Sequence, residues 1–108
     1  FTSGMIGFFL SVITIQELEI GVLQAERKDQ LKGGLLRAWL NEQVLPAFDG
    51  RIISIDVSIA VRSTQLHIPN PGPFRDHLIA ATAIVHRMAV VTRNVSDFVA
   101  SGVITIDP

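Results

Sequence analysis

The chain has 108 residues, 48% of them hydrophobic and 18% charged, with a formal net charge of −1. That length suits one domain and its apolar share excludes a disordered chain, while the near-neutral balance excludes a uniformly basic nucleic-acid surface, so any contact with RNA or DNA must come from a local site. With no cysteine, disulfides, thiolate zinc sites and thiol nucleophiles are excluded, which is compatible with a reducing cytoplasm.

The N-terminal run MIGFFLSVITI is apolar but only about half a membrane span in length. No positive residue precedes it and no small-residue cleavage site ends it, so neither an anchor nor a signal peptide is expected. FFLSVI (8–13) reads instead as a strand covered on both faces. Thr14 then opens a helix, with Ile15, Leu18, Val22 and Ala25 near one face. ERKDQLKGG (26–34) is polar, and Gly33-Gly34 predicts a turn or a weak helical break. LLRAWLNEQVL (35–45) is amphipathic, with Trp39 as a core or partner-interface residue and Pro46 limiting its end.

RIISID (51–56) is the next expected strand, followed by a helix over VSIAVRSTQLH (57–67). Prolines 69, 71 and 73 make 68–74 an extended loop. DHLIAATAIVHRM (76–88) is the clearest helix, behind an aspartate cap. AVVT (89–92) reads as a short buried strand, RNVSDF as a turn into a brief helix, and VITID (103–107) as the last strand. Strands separated by helices predict a parallel, doubly wound α/β sheet.

Glu17, Asp76, Asn94 and Asp97 all stand where an apolar run ends or a helix begins. In a parallel α/β sheet those points share one edge, the edge where ligands bind. Carboxylates gathered there repel one another unless a cation or protons compensate, and a hard cation such as Mg²⁺ takes oxygen ligands. Each residue also has a plain explanation. Thr14-Ile-Gln-Glu17 matches a capping box, Asp76 can be an N-cap, and Asn94-Val-Ser-Asp97 resembles a cap with an acid in the first turn. Asp56 is the control: it follows a strand too, but has no second candidate ligand near it and is expected to cap a helix.

The histidines carry less. His77 adjoins Asp76 but points about 100° away around a helix. His67 and His86 have no partner at i+3 or i+4, so surface or helix-end roles are expected. Glu19 is expected in solvent, and Arg93 either contacts a phosphate or is solvated. Ser11, Ser54 and Ser96 lack a G-x-S-x-G elbow, and no Gly-rich phosphate loop is present.

The strings LSVITIQELEIG, RDHLIAATAIVHRMAVVTRNVSDF and VITIDP resemble the PIN-domain family, and within it the toxin ribonucleases of VapBC-type toxin–antitoxin modules. The resemblance runs from about residue 8 to the end, and the combination of IAATA with TRNxxDF is its most specific part. It implies a single domain over 1–108 with a three-layer α/β/α fold and a parallel sheet of order 3-2-1-4-5. It also implies RNA cleavage with Mg²⁺ or Mn²⁺ held by Glu17, Asp76, Asn94 and Asp97. Thr92 and Arg93 would touch the substrate, a VapB-like antitoxin would be the inhibitor, and the chain would form a homodimer in the cytoplasm. The family's first strand, of the form L-L-D-T-N-V with a central aspartate, and the helix after it find no match in residues 1–7, FTSGMIG. A catalytically inactive, truncated relative acting through protein contacts is therefore the competing expectation. A receiver-like phosphoacceptor lacks its paired acids and its lysine here.

Overall fold

In the computed structural model, which describes residues 8–107, Ser11 rather than Thr14 starts the first helix. Ser11 Oγ accepts a hydrogen bond from the Ile13 amide at 3.0 Å, satisfying a donor that the first turn leaves free. Helix α1 (Val12–Lys28) therefore consumes most of the apolar run, and strand β1 is only Leu10–Ser11. Residues 1–7, where no counterpart of the first strand was expected, lie outside the described residues.

The described chain divides into two compact units, one ending at Ile53 and the other starting at Ser54. In the first, β1 pairs in parallel with β2 (Ile52–Ile53), Leu10 opposite Ile52 and Ser11 opposite Ile53. The break after α1 falls at Asp29, not at the glycine pair. Its carboxylate accepts from the amides of Leu31 and Lys32 at 3.1 and 3.2 Å and caps α2 (Gln30–Trp39). Gly33 lies inside α2 because α1 passes against it: a Cβ there would sit 2.6 Å from Glu26 N. Its role is close approach of two helices, not a turn.

Arg37 fastens the same two helices from outside. Its guanidinium donates to both Glu19 carboxylate oxygens at 2.8 and 2.7 Å and to Glu26 at 3.2 Å. Glu19 is thus a paired residue rather than a free solvated one, and the hydrogen bonds from Arg37 hold its carboxyl below the ordinary glutamate range. Beyond α2 the helix widens into a π-helical segment (Leu40–Val44), where the Leu45 amide reaches back to the Leu40 carbonyl. It then closes in the single turn α3 (Leu45–Ala47), two residues into which Pro46 removes a donor. Val22, Leu40, Val44 and Phe48 form this unit's buried core, with Trp39 packed on it.

In the second unit, α4 (Val57–His67) begins as expected at Asp56, whose Oδ1 accepts from the Ile59 amide at 2.9 Å. After the proline-rich connection come α5 (Phe74–Val85), β3 (Val90–Val91), a 3₁₀ helix (Val95–Ser101) and β4 (Thr105–Ile106). Strand β3 runs parallel to β4, Val90 opposite Thr105 and Val91 opposite Ile106. Four consecutive small residues of α5, Ala80, Ala81, Thr82 and Ala83, are buried, so the helix is covered on several sides there and its neighbours can sit close. Ala80 and Ala83 join Val90 and Phe98 in the second core. Helix α5 ends on Arg87 in the left-handed region (φ 57°), with the Met88 amide donating to the Ala83 carbonyl at 2.8 Å.

The parallel α/β reading holds, and among the described residues the strands form two small two-stranded parallel sheets, β1 with β2 and β3 with β4. The strands are shorter than the apolar runs that contain them. Among the described residues, no helix is long and apolar enough to cross a membrane.

Candidate functional site

The plain explanation for the acidic positions was helix capping, and the structure separates the candidates from the control on that point. Asp56 caps α4 as its position demands. Glu17 cannot close a capping box, because Thr14 lies inside α1 and Ser11 holds the cap position. Asp76 is not an N-cap either. Pro73 occupies that place without a side-chain bond, and Asp76 stands in the first turn of α5. Asn94 is at the cap position of the 3₁₀ helix, yet its side chain makes no capping bond, and Asp97 follows in the first turn. Only the favourable field of a helix N-terminus remains as a structural role for Asp76 and Asp97.

Within the second unit, chain direction brings two of these acids together. Helix α5 packs on β3 and connects to it by a short turn, so helix and strand run in opposite senses. The first turn of α5 therefore lies by the C-terminal end of β3, where Thr92, Arg93, Asn94 and Asp97 follow. Asp76 is half-buried, and burial pushes its carboxyl above the ordinary aspartate range, with the negative charge of Asp97 adding to the rise. The positive charges of His77 and Arg75 act in the opposite direction. Arg75 is a member of this surrounding that residue spacing did not single out; its place directly before Asp76 was the available signal.

The stretch after β3 is held by its own backbone. The Thr92 amide donates to the Ile106 carbonyl at 3.0 Å, continuing the strand pairing. Its Oγ1 accepts from the Asn94 amide at 3.0 Å, and the Asp97 amide donates to the Asn94 carbonyl at 3.0 Å. Arg93, Asn94 and Asp97 are exposed at this turn. Glu17 is exposed on α1 in the first unit and makes no hydrogen bond or ion pair among the described residues.

Within neither unit do three or more histidine, cysteine, aspartate or glutamate side chains of the described residues gather closely enough to hold a metal ion by themselves. The chemistry of the second unit's donors nonetheless fits a hard dication. Asp76 and Asp97 offer carboxylate oxygens, the charge of Asp97 disfavours the ionised Asp76, Asn94 adds an amide oxygen on the same turn as Asp97, and a cation would offset that charge.

The model of the PIN domain family matches residues 3–98. Toxin FitB of Neisseria gonorrhoeae is 34% identical over 105 residues, covering 93% of this chain and 74% of its own. VapC ribonuclease Y4jK of Sinorhizobium fredii is 32% identical with the same coverage, 93% and 74%. Among solved structures, the crystal structure of FitAcB from Neisseria gonorrhoeae superimposes with a TM-score of 0.84 at 32% identity, over 93% of this chain and 74% of that one.

Proposed function

The chain belongs to the PIN-domain family, and we propose that it is a metal-dependent endoribonuclease, the toxin of a VapBC-like toxin–antitoxin module. The observation that carries this reading is Asp76. It is a half-buried carboxyl with no cap to serve, raised above its usual range by burial and by Asp97. A group in that state gains most from a positively charged ligand. The names of the relatives, a toxin and a VapC ribonuclease, support the assignment of substrate and module.

In this reading Asp76, Asn94 and Asp97 hold a Mg²⁺ or Mn²⁺ ion, and Glu17 enters as a further ligand through its place in the motif. With a dication held by these residues, the site would gain a Lewis acid for the phosphodiester and a bound water of lowered pKa. The chain's own contribution is placement and charge. Arg93, exposed on the turn after β3, pairs with a phosphate oxygen of the RNA. Thr92 Oγ1 already accepts from the Asn94 amide, which leaves its hydroxyl proton to donate to the substrate. The 3₁₀ helix presents the Asn94 and Asp97 side chains from one short, backbone-bonded turn.

The remaining parts of the proposal follow from the family: one PIN-like domain over 1–108, a cytoplasmic setting, a VapB-like antitoxin that blocks the site, and a homodimer. The test is cleavage of RNA by the purified chain with Mg²⁺ or Mn²⁺, alone and after Asp76→Asn. Cleavage that needs the dication and disappears in the variant is the expected result. Undiminished cleavage by Asp76→Asn would sink the assignment of the site. Tight antitoxin binding by a wild-type chain that never cleaves RNA would favour the inactive relative instead.

A further inference from the structure

The connection between α4 and α5 folds back on itself and sets two histidines face to face. His67 is the last residue of α4 and His77 lies in the first turn of α5. Their Nδ1 atoms are 3.3 Å apart and their ring centroids 5.3 Å apart, with the rings at 76°. His67 is further held by stacking on Phe74, centroids 4.6 Å apart. The Gly72 amide donates to His67 Nδ1 at 3.4 Å, which requires a lone pair on that nitrogen.

Both contacts exceed the most common N–H···O separation of about 2.9–3.0 Å. The two histidines also match a different geometry. Two imidazole nitrogens, each about 2.05 Å from one tetrahedral Zn²⁺, lie about 3.3 Å apart. Adding the ring radius of roughly 1.15 Å to each bond puts the centroids about 5.2 Å apart. Both observed distances fall on those values.

We propose that His67 and His77 form a two-nitrogen site for a zinc-class transition-metal ion, with water filling the other positions. Imidazole suits such ions, whereas the oxygen donors near Asp76 suit Mg²⁺ or Mn²⁺, so the two sites differ in ligand chemistry. The ion replaces the long Gly72 contact at His67 Nδ1 and joins the end of α4 to the first turn of α5. That turn carries Asp76, so occupancy fixes the backbone from which the acid projects. The three prolines of the connection restrict its conformations and lower the entropy lost on closing the site.

The test is calorimetric titration of Zn²⁺ alone into the untagged full chain, with far-UV circular dichroism to check folding. One ion per chain is expected, with affinity falling roughly tenfold or more in His67→Ala and in His77→Gln and unchanged in His86→Ala. A readout that needs no variant is imidazole NMR: Zn²⁺ should shift or broaden two of the three histidines and leave His86 alone. Undiminished binding in both histidine variants, or a response of His86 with the other two unmoved, would overturn the proposal. Binding lost in Asp76→Asn but kept in the histidine variants would move Zn²⁺ to the acids and also overturn it. Neither readout depends on RNA cleavage, so the failure of this site and of the nuclease reading are separately visible.

Discussion

At the scale of single residues, the difference between a cap and a site acid rests on where a helix starts. Sequence placed Asp56, Asp76, Asn94 and Asp97 at helix beginnings correctly, but could not say which of them would be consumed by backbone amides. Pro73 decides it for Asp76 by taking the cap position of α5 itself, while Asp56 does cap α4. The consequence for Asp76 is measurable. Burial and the Asp97 charge disfavour its ionised form in the folded chain, so its folded pKa lies above its unfolded one. The native state then binds the proton more tightly, and the penalty is absent in acid, grows as pH rises through the raised value, and is fully present at neutral pH. Asp76→Asn should therefore be more stable than wild type at pH 7 and no different near pH 3, as read by denaturant titration at both pH values. Millimolar Mg²⁺ or Mn²⁺ should stabilise wild type and leave the variant unmoved.

At the scale of elements, the α1–α2 hairpin depends on two contacts made by residues distant in sequence. Gly33 reads as a turn residue from its neighbour Gly34, because nothing local reveals that Glu26 backbone lies against it. Gly33→Ala should cost about 1–3 kcal/mol by overpacking, whereas the same change at the open Gly34 should be neutral or stabilising through its helix propensity. The Arg37 clasp is half-exposed and should be screened by salt. Arg37→Gln should lower the melting temperature at low ionic strength, and the gap should close in molar salt. Because Glu19 is held below its usual range, the clasp contributes above the unfolded carboxylate pKa and is lost as pH falls through the lowered one. The same gap should therefore also vanish in strong acid. At the end of α5, Arg87 occupies a left-handed position where glycine is the common choice. Arg87→Gly should raise stability by roughly 1 kcal/mol in thermal or chemical unfolding.

At the scale of the whole molecule, the two units carry separate cores, around Phe48 in one and around Phe98 in the other. The acids in the first turn of α5 and after β3 belong to the second unit, and their joint action makes a kinetic prediction. Asp76→Asn and Asp97→Asn should each reduce RNA cleavage on the order of 100-fold, and the double variant should be little worse than either single one. Full additivity would mean that the two carboxylates act independently. The helices over 57–67 and in the IAATA segment, the parallel pairing, the Asp56 cap and the PIN motifs were all legible in the sequence, because each rests on periodicity or on contacts between near neighbours. Tertiary structure alone decided that Gly33 is an interface, that Glu19 is paired, that Asp76 feels Asp97, and that His67 meets His77. Those are meetings across a helix junction, between the start of α5 and the turn after β3, or around a proline-rich return, and only the path of the chain fixes which groups share a space.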